Sequence, residues 1–158
     1  MIVYHGSDRE IIRPRITLSD LGREFGIGFY VTPELTLAES QAKRKAKQGL
    51  VYDAHRPVVT EFEFDADAAA KALKLKRLDG CSEEWLDFIM RCYTDIHFVH
   101  PYDIVIGNAV LPEHSEILNQ YRRSVISKQL ALKQLNGACA CLQICFSTAA
   151  SLDFLKKR

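Results

Sequence analysis

Between residues 58 and 64 the chain alternates strictly, with Val58, Thr60, Phe62 and Phe64 on one side and Val59, Glu61 and Glu63 on the other. A period of two is that of an extended strand with one face buried, so a half-buried strand is expected here. Short apolar stretches at Ile2 to His5, Gly28 to Thr32 and Asp103 to Gly107 predict further strands, and Ala138 to Ser147 predicts the last. Elsewhere the period lengthens. Leu35, Ala38, Ala42 and Ala46 recur at helical spacing behind Thr32 as cap, with Pro33 at the first position, Glu34 in the first turn and Gly49 as the stop. Asp65 to Leu73 reads as a short Ala-rich helix. Ser82 caps another, in which Trp85, Phe88, Ile89 and Cys92 fall on one face, making Trp85 a core residue. Leu118 to Leu135 carries helical pattern with a break near Val125, and Thr148 caps a final helix ending in Lys156, Lys157 and Arg158. Ile11 to Phe25 is too polar and irregular for a long element and reads as an insert lining a cleft. Short strands interleaved with helices predict an α+β fold.

With 158 residues and 47% hydrophobic content, residues 1–158 are expected to form a single domain with its own core. The 21 Lys and Arg against 20 Asp and Glu give a net charge of +1, so no global field draws the protein to nucleic acid or an anionic membrane. No apolar run approaches 18 residues and no signal-peptide pattern opens the chain, which leads to the expectation of a cytoplasmic protein with no membrane partner. Five Cys without regular spacing fit reduced thiols. Cys139, Cys141 and Cys145 alternate along one strand with no nearby His and cannot readily enclose a tetrahedral ion, so they read as small apolar filler and no metal is expected. Lys43, Arg44, Lys45 and Lys47 suit either a phosphate contact or a solvated helix face near the negative end of the dipole; the solvated face is the favoured reading.

The chemistry concentrates in three places. His5 and Gly6 end a strand and offer a side-chain donor beside a bare backbone that a planar carboxamide can approach. Gly26 and Gly28 let the next strand begin without side chains, so that the ring of Tyr30 can lie flat on a ligand. Gln143 lies on the last strand among cysteines, a buried amide in need of partners. Together they read as a nicotinamide pocket. Gly26-Ile27-Gly28 is not a dinucleotide fingerprint, because it precedes a strand, lacks the third Gly and opens no helix.

His5-Gly6-Ser7, Phe25 to Tyr30, Ser82 to Leu86, Asp103 to Gly107 and Gln143 to Thr148 follow one another in an order that resembles the ADP-ribosyltransferase superfamily, in its His-Tyr-Glu branch. More closely, the chain is similar to a bacterial family of such proteins catalogued as a domain of unknown function. The resemblance implies a split, mixed β-sheet core with surrounding helices and NAD as co-substrate. It implies catalytic roles for His5, Tyr30 and Gln143, and an NAD site formed by His5, Gly6, Ser7, Gly28, Phe29 and Tyr30. In those roles His5 bonds a ribose hydroxyl, Gly6 the carboxamide, and Tyr30 stacks on the nicotinamide. Gln143 occupies the position of the catalytic Glu, and because it cannot ionise it cannot neutralise a developing cation or act as a base. Asp8 and Glu24 are carboxylates that would compensate. Gln41 stands where relatives place a second aromatic, which removes about 0.5 to 1.5 kcal/mol of stacking, and Asn108 to Pro112 lacks an acidic pair.

The implied activity is mono-ADP-ribosyl transfer to an acceptor that is a protein, a nucleic acid or a small molecule. A bacterial toxin paired with a small antitoxin protein is one setting for it. The alternatives are a catalytically silent NAD- or nucleotide-binding module, a slow NAD glycohydrolase, and a plain interaction domain.

Overall fold

A computed structural model describes residues 1–18, 22–48, 55–136 and 141–158. Seven strands and six helices are found among them: β1 (Ile2–Ser7), β2 (Phe29–Val31), α1 (Leu35–Gln48), β3 (Val58–Phe64), α2 (Ala66–Ala72), β4 (Leu75–Arg77), α3 (Glu83–Thr94), β5 (Ile104–Asn108), α4 (Ser115–Arg122), α5 (Lys128–Leu135), β6 (Leu142–Phe146), α6 (Ala149–Leu152) and β7 (Leu155–Lys157). One sheet has the order β1-β3-β7, all antiparallel; the other has the order β2-β6-β5-β4, antiparallel except that β4 runs parallel to β5. The fold is therefore mixed α+β.

The two sheets share one core. Val3, Phe62 and Phe64 from the first meet Phe29, Ile104, Ile106, Ile144 and Phe146 from the second. The opposite face of the second sheet, through Tyr30, Val105 and Cys145, carries a separate cluster with Phe25, Trp85, Leu86, Ile89, Leu118 and Leu135. Trp85 is fully buried and its indole N–H donates to the carbonyl of Asn108 at 2.9 Å, so it is a core residue as its helical spacing implies. Among the described residues the sheets are bridged edge to edge where Tyr4 and Thr32 exchange backbone hydrogen bonds at 2.7 and 2.9 Å. Beyond it β1 and β2 part.

Most elements form where the periodicity puts them. Asp65 caps α2 and Ser82 caps α3, but α1 starts later than the spacing predicts: Thr32, Pro33 and Glu34 all precede Leu35. Thr32 Oγ1 accepts from the Glu34 N–H, and the Glu34 carbonyl, not that of Thr32, accepts the Ala38 N–H at 3.1 Å. The break near Val125 is real: α4 ends at Arg122, Ser124 takes a positive φ of 58°, and Ser127 caps α5. The final helix is a correction. It ends after one turn at Leu152, and Leu155–Lys157 instead pairs with Phe62–Phe64 as β7. The three-residue β4 has no counterpart in the sequence pattern. The helix stop at Gly49 and the strand start at Ala138, with Cys139, lie outside the described residues.

Candidate functional site

Register decides what meets at the seam between the sheets. Met1 exchanges both backbone hydrogen bonds with Phe64, and Tyr4 exchanges its own with Thr32, so odd residues of β1 bond β3 and even residues face β2. Gly6 is even, and its N–H and C=O therefore face the seam after β1 and β2 have parted. The gap is bridged by a side chain: His5 Nδ1 lies 2.6 Å from the carbonyl oxygen of Tyr30. A carbonyl only accepts, so Nδ1 carries the proton and Nε2 holds a lone pair; the free position on this ring is an acceptor, where a donor is expected from sequence. The imidazole stacks on Phe29 with centroids 4.3 Å apart.

Burial lowers the pKa of His5 to about 4, aided by the nearby charges of Lys45 and Arg23 and opposed by the bond to Tyr30. An unfolded His titrates near 6.5, so between these values the unfolded chain binds a proton that the folded chain refuses. Stability is thus expected to fall as pH drops from about 6.5 to about 4, by about 3 kcal/mol for His5 at the limit, and to gain nothing from this group above 6.5. His114, whose pKa is also lowered by burial, adds a change of the same sign. Urea midpoints measured across this range should show a shallower slope in His5→Gln than in the wild type; identical slopes would assign the effect elsewhere.

On the other face of β2 lies a second group. Tyr30 is 2% exposed, its hydroxyl donates to the carbonyl of Gly26 and accepts from the Phe25 N–H at 3.2 Å. These bonds, with Gly26 at a φ of 81° and His100 Nε2 donating to the Phe25 carbonyl at 2.9 Å, pin the turn from Arg23 to Gly26. The turn sets two charged side chains against the second sheet. The Arg23 guanidinium lies 3.6 Å over the Tyr30 ring, and Arg23 Nε is 3.6 Å from Glu24 Oε2. Gln143 reaches both: with its amide oxygen accepting from Arg23 Nη2 at 2.8 Å, its nitrogen donates to Glu24 Oε1 at 3.2 Å. The opposite orientation gains a Gln41 Nε2 contact at 3.2 Å but aims the amide oxygen at a carboxylate, so the first arrangement has the better electrostatics.

Arg23, Glu24, Gln41 and Gln143 line a cleft of about 750 Å³, within the ~300–1,000 Å³ of small-molecule sites. Arg44 and Lys45 of α1 line it too, as do Val110 to Glu113. The basic run therefore divides, with Lys43 and Lys47 exposed and the middle pair on the cleft. His5 and Tyr30 sit behind the cleft and not on its surface, Tyr30 beneath Arg23. Ser7 Oγ donates to Asp8, and Phe29 belongs to the inter-sheet core. Asp8 is held by Arg9, which lowers its pKa to about 2, and by His55 at 2.6 Å; its partners are not cleft residues. Gly6 and Gly28 also have packing duties, against α1 and β6 respectively. Arg23 and His100 carry no sequence signal, the first a single cation in a polar stretch and the second one ring between Phe98 and Tyr102.

The description "Protein of unknown function (DUF3990)" belongs to the family model that matches residues 1–157. No curated protein and no solved structure matches the chain.

Proposed function

The chain belongs to this family, and from the chemistry of its cleft we propose that it is an NAD-dependent mono-ADP-ribosyltransferase-like enzyme. The observation that carries this reading is the Arg23 guanidinium, a planar delocalised cation seated on the Tyr30 ring and bonded to the Gln143 amide. The nicotinamide ring of NAD is also planar and cationic, and suits the same stacking surface. Binding exchanges one cation for the other: Arg23, with 24% of its side chain exposed, swings off the ring, and repulsion between the two charges favours the exchange. A carboxamide, with donor and acceptor side by side, fits the N–H and C=O of Gly6. A ribose hydroxyl fits the His5 Nε2 lone pair, and the pyrophosphate fits Arg44 and Lys45. Ser7, Gly28 and Phe29 support these groups from behind. The acceptor is a protein, a nucleic acid or a small molecule, and a toxin held by a small antitoxin protein is a setting such an activity suits.

Two measurements on the full chain test the reading. NAD at about a hundredfold excess over Kd should stabilise the fold by about 2.7 kcal/mol, raising Tm by several degrees. Nicotinamide should be released, faster when cell lysate supplies acceptors. A Tm unmoved by millimolar NAD would sink the pocket, and stabilisation without release would favour a silent NAD-binding module. That second reading draws on the uncharged Gln143.

A further inference from the structure

We infer that Glu24 is the carboxylate of this site, faced toward the ribose carbon, and that Gln143 acts as the residue that positions it. The inference rests on the NAD reading above and goes beyond it. Glu24 is 6% exposed, in the wall of the cleft, and one of its oxygens receives the amide N–H of Gln143 at 3.2 Å. Its other oxygen faces the Arg23 guanidinium at 3.6 Å, so in this structure the carboxylate already stands beside the planar cation over Tyr30. When that cation is replaced by nicotinamide, the same carboxylate is left without its internal counter-charge beside the ring and its ribose.

The chemistry then balances. The bond from the ribose carbon to the nicotinamide nitrogen breaks, and its electron pair goes to that nitrogen, which leaves as neutral nicotinamide. The positive charge moves to the ribose carbon and ring oxygen, where the Glu24 carboxylate lowers its energy. A lone pair of the acceptor forms the new bond to that carbon, and the acceptor's proton passes to Glu24 and on to solvent. Gln143 cannot do this, but an amide that donates to one oxygen of Glu24 fixes its position. The division also accounts for the position of Tyr30, whose hydroxyl holds the turn bearing Glu24.

The test measures NAD affinity by calorimetry and nicotinamide release for the wild type, Glu24→Gln and the exchanged variant Glu24→Gln/Gln143→Glu. Glu24→Gln is expected to keep NAD affinity within about threefold and to lose release by about 100-fold. The exchanged variant keeps one carboxylate and one amide with their places swapped, and should recover release at least about tenfold over Glu24→Gln. Release in Glu24→Gln within about threefold of the wild type overturns the assignment, as does an exchanged variant no faster than Glu24→Gln. A wild type that binds NAD without releasing nicotinamide overturns it too, and leaves the pocket standing. A wild type that binds no NAD removes both the pocket and the role of Glu24.

Discussion

Tyr30→Ala is expected to lower NAD-dependent nicotinamide release by two orders of magnitude or more, and to destabilise the fold by about 3 to 5 kcal/mol, the usual range for deleting a buried aromatic ring. Both effects come from one side chain. The ring is the surface on which a planar cation stacks, and it is also buried against Phe25 in the cluster under α3 to α5. Its hydroxyl holds the turn that carries Arg23 and Glu24. Tyr30→Phe separates these roles. It keeps the ring, removes two hydrogen bonds at a cost of about 1 to 3 kcal/mol, and frees the turn. NAD affinity should change little while release falls. His5→Ala should act similarly from the other side of the strand, because it strips both the lone pair of Nε2 and the bridge that Nδ1 makes across the gap to the Tyr30 carbonyl. Because both residues are buried, each alanine variant also costs stability. Tyr30→Ala with wild-type NAD affinity, measured under conditions where the variant is folded, would show that the ring is not the stacking surface.

The positions that could be read in advance are those where a local rule decides. The strict alternation of β3, the Ser82 cap of α3 and the break between α4 and α5 each follow from spacing and cap chemistry within a few residues. So does the placement of Trp85 in the core; of the insert Ile11 to Phe25, read as lining a cleft, Arg23 and Glu24 line this one. What could not be read depends on partners far along the chain. Leu155–Lys157 is extended because it pairs with β3, ninety-odd positions upstream, and no pattern in three residues announces that. Glu24 appears in the sequence as one carboxylate among twenty acidic residues. Its selection needs the turn pinned by Tyr30 and the amide of Gln143, contacts that bring residues over a hundred apart together. Asp8, closer to His5 in sequence, is drawn off by Arg9 and His55. The lone pair on His5 likewise depends on a carbonyl 25 residues away.

Gly6→Ala and Gly28→Ala should each lower stability by more than about 3 kcal/mol, a large share of the 5 to 15 typical of a domain. A methyl group on Gly6 would stand 2.0 Å from the Ala38 carbonyl oxygen and 2.8 Å from the Ala42 nitrogen. Both are backbone atoms of α1, so no trimming of a helix side chain relieves the clash and α1 must lift from β1. On Gly28 the methyl would meet Cys145 Sγ at 2.4 Å and the Phe146 carbonyl oxygen at 2.7 Å. There Cys145→Ala should recover part of the loss, because one of the two obstacles is a side chain. Gly80, at a φ of 53° with nothing within 4 Å of its would-be methyl, supplies the comparison: Gly80→Ala carries only the left-handed backbone cost of about 1 to 2 kcal/mol. Thermal unfolding followed by circular dichroism orders the three, and a Gly6→Ala Tm above that of Gly80→Ala would contradict the packing argument. The functional consequence follows from which side of α1 is lifted. Gln41, Arg44 and Lys45 reach the cleft only while Ala38 and Ala42 rest on Gly6, so the glycine beside His5 sets the distance between the basic side of the cleft and Gln143.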